Sequence, residues 1–490
     1  MARPNRPSTK TRIIQAVSSL VGLRPMASYE AAGNGRRAKD MWGAASVQGP
    51  VAELNVALPT LRKRSRWEVQ NNPSAARAAD VLVSSVVGDG IRPAIPNAEL
   101  RRRWDAWVLE CDADQLGDFY TVQALVWREV VAAGEALARL RPRKLSDGLT
   151  VPLQIQCLPS EMLPLTDSSV PDSAIAGIEF DGIGRPRTYW LYDRHPDEAN
   201  RLGGRPQVKP VASPEIMHVY RPMRFGQLRG EPWLTRAIVP LHSIHDYTDA
   251  ELVRKQTAAL FGVIVTDPQP TPSAAVIDGG DPDGGAATDE QQDLPPLQAG
   301  ALIQARYGTD VKVIAPADVG AQFEMFIRAQ YRQIASAIGL PYDLLTGDYN
   351  PSDRVLRQIL HTYMREVRPW VRILVQDFCR PVWLAFLEAA EISGAWRPSS
   401  DDERLAMQNI EWVWQPFGHV HPTQEAQADV ILIGAGLKSL HQAAAERGRS
   451  FGDILEERRK EAEMLAAAGI QLTLDPRGIV ASEQDPETEK

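Results

Sequence analysis

The sequence predicts a helix-rich α+β fold. Three observations carry that prediction. Apolar residues recur at helical spacing, most clearly Phe323, Phe326, Ile327, Tyr331, Ile334 and Ile338 on one helix face. Leu153, Ile155 and Cys157 alternate, as a half-buried strand requires. The run GIEFDGIGRPRTYWLY reads as a β-hairpin turning at Asp181-Gly182. With 490 residues, 44% of them hydrophobic and 24% charged, the chain has material for a sizeable core and roughly two to four domains.

The elements follow in chain order. Residues 1–50 are Gly-rich (Gly33, Gly35, Gly43, Gly49), show little periodicity and read as a mobile basic arm. Arg3, Arg6, Lys10 and Arg12 precede Ile13-Ile14 without the apolar core or cleavage site of an export signal. From Val51 to Val87 the pattern is helical, with Leu54, Leu58 and Leu61 leading into the basic run Arg62-Lys63-Arg64-Ser65-Arg66. Asn71-Asn72-Pro73 breaks it, with Asn72 as cap and Pro73 as first residue of the next helix, which Gly88-Asp89-Gly90 ends. Residues 95–141 read as helical around Trp104, Trp107, Leu125, Val126, Trp127 and Val130, with Gly134-Glu135-Ala136 leading into strands.

A further helix is expected from Trp233 to Leu260 and a strand from Phe261 to Val265. Residues 267–300 hold six prolines, seven acidic residues and no Lys or Arg, the composition of a mobile surface insertion. Val311, Val313 and Ala315 alternate as a strand. The helix from Gln322 stops at Gly339 and Pro341. Thr346 to Ser352 is a short polar loop, in which Asn350 is a good N-cap and Pro351 fits the first helical position. A helical pattern then runs from about Asp353 to about Glu391, on the order of 60 Å if straight. Pro369 and Pro381 predict kinks in it. Beyond Trp396 come a short strand at Trp412–Pro416, a helix starting at His421-Pro422, a helix end at Gly436, an Ala/Glu-rich helical pair from Ser439 to Gly469, and a polar, disordered tail from Asp475.

Charge is uneven along the chain. Residues 1–103 hold 17 Lys and Arg against 7 Asp and Glu, while the chain as a whole carries −8. A basic end on an acidic body suits contact with nucleic acid or an acidic partner, and equally a solvated face. The acidic body argues against tight sequence-reading of DNA. Cys111, Cys157 and Cys379 lie too far apart for a metal motif or a disulfide framework and fit a reducing compartment. No run of about 18 apolar residues predicts a membrane span.

Motifs for catalysis are weak. Gly448-Arg449-Ser450-Phe451-Gly452 fits the nucleophile-elbow spacing, but a helix rather than a strand precedes it, and Ser450 with Asp453 reads as a helix cap. Gly434 to Ser439 lacks the Gly-Lys-Ser order of a phosphate loop and reads as a helix–helix turn. His242, His245 and Asp246 share a helix face, and His419 and His421 share a loop; surface or interface histidines explain both sets better than metal ligands do. No cofactor and no metal are expected.

Four runs, in one order, resemble phage portal proteins of the lambda-like family. The first is IASAIGLPYDLLTGDY (334–349) with the helix after it. The second is LPTLRKRSRWEVQNNPSAARAADVLVSSVVGDGIRP. The third is His218-Val219-Tyr220-Arg221 through Phe225-Gly226-Gln227-Leu228-Arg229-Gly230-Glu231-Pro232-Trp233. The fourth runs from Trp412 through the Pro416 and Pro422 turns to Glu446-Arg447-Gly448. Together they cover most of residues 33–470.

The resemblance implies a portal fold assembling as a ring of about twelve identical subunits. It implies a wing at 51–232, stem helices at 233–260 and 321–339, and a clip at 261–320 between them. It further implies a tunnel loop at 340–352, a long kinked wing helix at 353–396 and C-terminal crown helices at 397–474. The ring would be the conduit for double-stranded DNA and would meet the large terminase, capsid or scaffold proteins, and head-completion or tail proteins, in the virion and not in a membrane. Thr346, Gly347, Asp348, Tyr349, Asn350, Ser352 and Arg354 would form the loop at the DNA channel. Asp348 repels phosphate, as suits a bore through which DNA slides, while Arg354 and Arg357 fit transient contacts and equally fit solvated helix charges. Such a protein catalyses nothing itself. Two other classes stay open: a DNA-binding adaptor or scaffold acting through the basic end, and a hydrolase or nuclease, which needs a clustered acid, base or metal set that these residues do not show.

Overall fold

The computed structural model describes residues 49–198, 206–260, 321–349, 352–414 and 422–469. The arm up to residue 48, the strands expected at 261–265 and 311–315, the insertion 267–300, Asn350, Pro351, His419, His421 and the tail lie outside the described residues.

Helices α1 (Pro50–Asn71) and α2 (Pro73–Val86) part where Asn72-Pro73 predicts. The Asn72 side chain accepts the Ser74 amide at 3.0 Å, and Pro73 has no N–H to satisfy. The single helical reading of 95–141 is corrected to α3 (Ala98–Val108), α4 (Phe119–Ala133) and a strand. Asp112 explains the first break. Its carboxylate accepts the amides of Asp114 and Leu116, so the backbone closes a turn instead of continuing α3. Asp118 then caps α4, and Gly134, at φ 96°, ends it.

The strands form three small antiparallel sheets. A pair of two-residue strands, β1 (Arg92–Pro93) and β8 (Trp412–Val413), joins distant parts of the chain. β3 (Leu153–Leu158), β2 (Glu135–Pro142) and β7 (Ile216–Tyr220) form one sheet in that order. β4 (Ile178–Phe180), β5 (Pro186–Tyr192) and β6 (Val208–Ala212) form the other, and the hairpin turns at Asp181 as expected. Leu137, Leu163, Ile178, Tyr189, Leu191, Val211 and Ile216 pack between these two sheets.

At the head of β2 sits a charged centre that periodicity does not reveal. Glu135 is wholly buried. Its Oε1 accepts hydrogen bonds from Arg62 of α1 at 2.5 Å and Arg229 at 2.5 and 2.7 Å, and its Oε2 accepts the Gly230 amide at 2.7 Å and lies 3.1 Å from His218 of β7. Arg229 spends its remaining donors on the carbonyls of Leu163 and Ala176. Burial alone would raise the Glu135 pKa, but Arg229, Arg62 and His218 together hold it well below the ordinary carboxylate range. Two glycines make the approach possible. A Cβ on Gly230 would lie 2.0 Å from the Gly134 carbonyl oxygen, and one on Gly134 would lie 2.4 Å from the Glu231 carbonyl carbon.

One large core runs through α2, α3, α4, the β2 sheet and the helices that follow. Its densest part is aromatic: Trp104, Trp107, Phe119, Phe378, Trp383 and Phe386 meet largely edge-to-face or tilted, at ring separations of 5.0–6.0 Å.

The second half is helical. Trp233–Arg236 is a 3₁₀ turn, so α5 spans Ile238–Leu260 rather than starting at Trp233. Next come α6 (Ala321–Ile338) and the short α7 (Tyr342–Thr346), so the stretch 340–352 is not loop throughout. α8 (Asp353–Leu374) starts after Ser352, which makes no side-chain capping bond, and this start corrects the assignment of Asn350 as cap and Pro351 as first helical residue. Pro369 lies inside α8 on its exposed side, where water can serve the carbonyl freed one turn earlier. At Pro381 the helix adapts differently. Val375–Cys379 widens into a π turn, with the Arg380 amide bonded to the Val375 carbonyl, before α9 (Arg380–Ser393) resumes. The continuous helix expected to about Glu391 is therefore two helices joined by a π turn.

α10 (Asp401–Gln408) is unforeseen; Ser400 caps it, and Trp383 binds its Met407 carbonyl at 2.7 Å. α11 (Pro422–Gly434), α12 (Leu440–Glu446) and α13 (Phe451–Ala467) complete the described chain. Ser439 caps α12 with a capping box to Gln442. Ser450 is the N-cap of α13, but its side chain makes no capping hydrogen bond, contrary to expectation.

Candidate nucleic-acid interface

The loop after α7 is built by its neighbours. Leu345 is buried and anchors α7 against α2 and α6. Gly347 then takes φ 75°, a left-handed turn that ends α7 with its amide on the Asp343 carbonyl at 2.9 Å. The Thr346 hydroxyl donates to the Tyr342 carbonyl at 2.9 Å and accepts the Asp348 amide at 3.3 Å. Thr346, Gly347, Asp348 and Tyr349 are all exposed, Tyr349 to 55%. Ser352 and Arg354 resume on the far side, also exposed; Asn350 lies outside the described residues. Six of the seven residues expected at this loop are therefore described and exposed, on either side of residues 350–351.

The helices beside the loop form an antiparallel pair. The Trp233 indole, just ahead of α5, donates to the carbonyl of Ile338 at the end of α6 at 2.8 Å. Further along, Tyr247 of α5 meets Phe323 and Phe326 near the start of α6 at 5.8 and 5.6 Å. Trp233 also stands edge-on to Trp370 of α8 at 4.8 Å, with the Arg221 guanidinium 3.7 Å over its ring. The loop thus springs from a rigid base where α5, α6 and α8 are pinned together.

Arg328 of α6 is a loop partner that the sequence does not signal. It lies 3.7 Å from Asp348 and 2.9 Å from Glu324. Part of the carboxylate repulsion expected of Asp348 is therefore offset locally.

The residues weighed for chemistry fall elsewhere. His242 lies 3.2 Å from Glu68 and 3.5 Å from Asp246, an ordinary pair of ion-pair partners. Among the described residues no group of three or more His, Cys, Asp or Glu is placed to hold a metal ion. Ser450 follows helix α12, not a strand, and no described helix is long and apolar enough to cross a membrane. Burial pushes the thiols of Cys111, Cys157 and Cys379 upward, away from reactive thiolate.

Residues 34–370 match the family described as phage portal protein, lambda family. The chain belongs to that family. Its function is a portal's, in DNA packaging at a capsid vertex. Two relatives agree. The probable portal protein of Halomonas phage phiHAP-1 is 23% identical over 459 residues, 87% of this chain and 85% of its own length. The portal protein of Escherichia phage N15 is 23% identical over 323 residues, 60% of this chain and 59% of its own length. Among solved structures, a chain in the neck of an empty gene transfer agent particle overlaps this one with a TM-score of 0.44. It is 16% identical and covers 79% of this chain and 90% of that one, an overlap too loose to carry over any feature. The family match ends inside α8, so helices α9 to α13 of this portal protein lie beyond it.

Proposed function

We propose that copies of this portal protein close into a ring of about twelve, with duplex DNA passing through the bore and the Thr346–Arg354 bend at its wall. In this reading α5 and α6 are the stem, 261–320 the clip, 51–232 the wing with α8 and α9, and α10 to α13 the crown. The clip meets the large terminase and later head-completion or tail proteins, and the ring sits in the virion at one capsid vertex. The protein performs no chemistry of its own; the packaging motor supplies the work.

One observation carries the ring. The α5/α6 pair leaves Val239, Leu252, Val253, Met325 and Phe326 uncovered by their own chain, with exposures from 48% at Phe326 to 67% at Val239. Apolar side chains repeated along a helix pair call for a neighbour. Identical copies side by side, related by a closed rotation, supply one at every position.

Mass measurement on purified protein tests the ring. A particle of about twelve chains with a central opening is expected; compact monomers or dimers at every concentration overturn it. Leu252→Glu with Val253→Glu should shift the particle toward single chains. Deleting Gly347–Asn350 should leave the ring intact and impair DNA packaging or retention, and normal packaging by that deletion removes the loop's role.

A further inference from the structure

The exposed side of α8 carries a line of basic residues. Arg354, Arg357, His361, Arg365, Arg368 and Arg372 follow at steps of three, four, four, three and four. At 100° per residue they fall within about 80° of one another around the helix axis. Tyr363, Val367, Val371 and Leu374 lie on the opposite face and are buried. The line is roughly 27 Å long at ~1.5 Å per residue.

Its exposed arginines meet no carboxylate among the described residues. Arg354, Arg365, Arg368 and Arg372 are exposed and take part in no ion pair there, and the half-buried Arg357 leaves its Nε without a partner. Of the two acids of α8, Glu366 falls outside the line by helical position, and Asp353 stands at its head, one turn before Arg357.

From this we infer that the α8 line is a binding surface for the phosphate backbone of duplex DNA, sharing Arg354 with the loop and running from there along the helix. This rests on the portal reading, which brings duplex DNA to the molecule. Two features favour DNA over a neighbouring protein surface. The cations are all arginines with no lysine, and guanidinium forks suit phosphate oxygens. The line is straight and evenly spaced and reaches no recessed pocket, which fits a regular polyanion read without sequence.

The test uses the assembled full-length protein and a random-sequence duplex of about 30 base pairs. Affinity is measured across salt for wild type, for the triple change Arg365→Gln, Arg368→Gln and Arg372→Gln, and for the same positions changed to Lys. Every phosphate that a variant no longer neutralises lowers the slope of log K against log salt by about 0.9. The Gln variant should therefore lose up to about 2.7 of slope, so that raising salt from 50 to 200 mM weakens it ~40-fold less than wild type. The Lys variant should keep most of the slope. An unchanged slope in a Gln variant that still assembles overturns the inference. So does a Gln variant that folds, by circular dichroism, but no longer assembles, because the line is then a subunit contact. Failure of wild type itself to form rings would instead count against the portal ring and is read separately, by mass.

Discussion

Two sets of arginines in this molecule behave in opposite ways. Arg62 and Arg229 are buried against Glu135, with their donors spent on that carboxylate and on backbone carbonyls. Arg354, Arg365, Arg368 and Arg372 are exposed on α8 and meet no acid among the described residues. A guanidinium costs several kcal/mol to desolvate, so the first set persists only because its geometry is satisfied on all sides. The second set incurs no such cost in one chain and holds its charge ready for something outside. The contrast separates arginines that hold the fold from arginines that face a partner, and proximity in sequence does not predict which is which.

The largest effects belong to the buried set. Glu135→Gln leaves two buried guanidinium groups short of their counter-charge and should destabilise by about 3–5 kcal/mol in chemical denaturation. Converting Glu135, Arg62 and Arg229 together to apolar residues of similar size should recover part of that loss. A triple variant no better than Glu135→Gln would mean that the centre stabilises through its hydrogen-bonded shape rather than its charge balance. Gly230→Ala should be comparably damaging, because its Cβ would meet fixed backbone at 2.0 Å rather than a movable side chain. Since the Glu135 pKa is depressed, its contribution is present above the ordinary carboxylate range and is lost only as pH falls through the lower folded value. Wild type should therefore lose more stability on acidification than Glu135→Gln does.

These residues also show how far the sequence could be read. Helix boundaries at Asn72-Pro73 and Gly134, and the hairpin at Asp181, were legible because each depends on local backbone chemistry. The loop was legible because α6, α8 and Gly347 bracket it within a few turns of chain. The Glu135 centre was not, since its partners come from residues 62, 218 and 229, and only folding brings them together. Gln227-Leu228-Arg229-Gly230 belongs to one of the portal-like runs, but nothing local says that the arginine turns inward. The break after α3 was missed because Asp112 ends the helix through its side chain, against the apolar periodicity. The α8 line does have a local signal: the polar face of an amphipathic helix holds information when all its charges share one sign.

Between the two sets stands Asp377, buried in part and without an ion-pair partner among the described residues. It lies in the π turn ahead of Pro381, and burial pushes its pKa up to about 6 from an ordinary 3.8. The folded chain holds this proton to a higher pH than the unfolded chain does. Stability from this site therefore falls as pH rises from about 4 through about 6, and is level above. Asp377→Asn should gain on the order of 1 kcal/mol at pH 8, after allowance for partial exposure, and almost nothing at pH 4. Equal gains at both pH values would show that the side chain acts through the shape of the π turn and not its charge.

The smallest expected effect tests the contrast most sharply. If the α8 arginines owe nothing to the fold, changing Arg365, Arg368 and Arg372 to Gln should move unfolding stability by no more than about 0.5 kcal/mol. Mutual repulsion along the line predicts the sign: neutralising it should leave the chain level or slightly more stable, and more so at low salt, where like charges at i and i+4 are least screened. A loss of about 2 kcal/mol or more, approaching the scale of a broken buried pair, would place these side chains among the fold-holding arginines and dissolve the distinction. A small gain that fades as salt is raised would mark them as charges held in one chain at a slight cost, which a polyanion laid along α8 would remove.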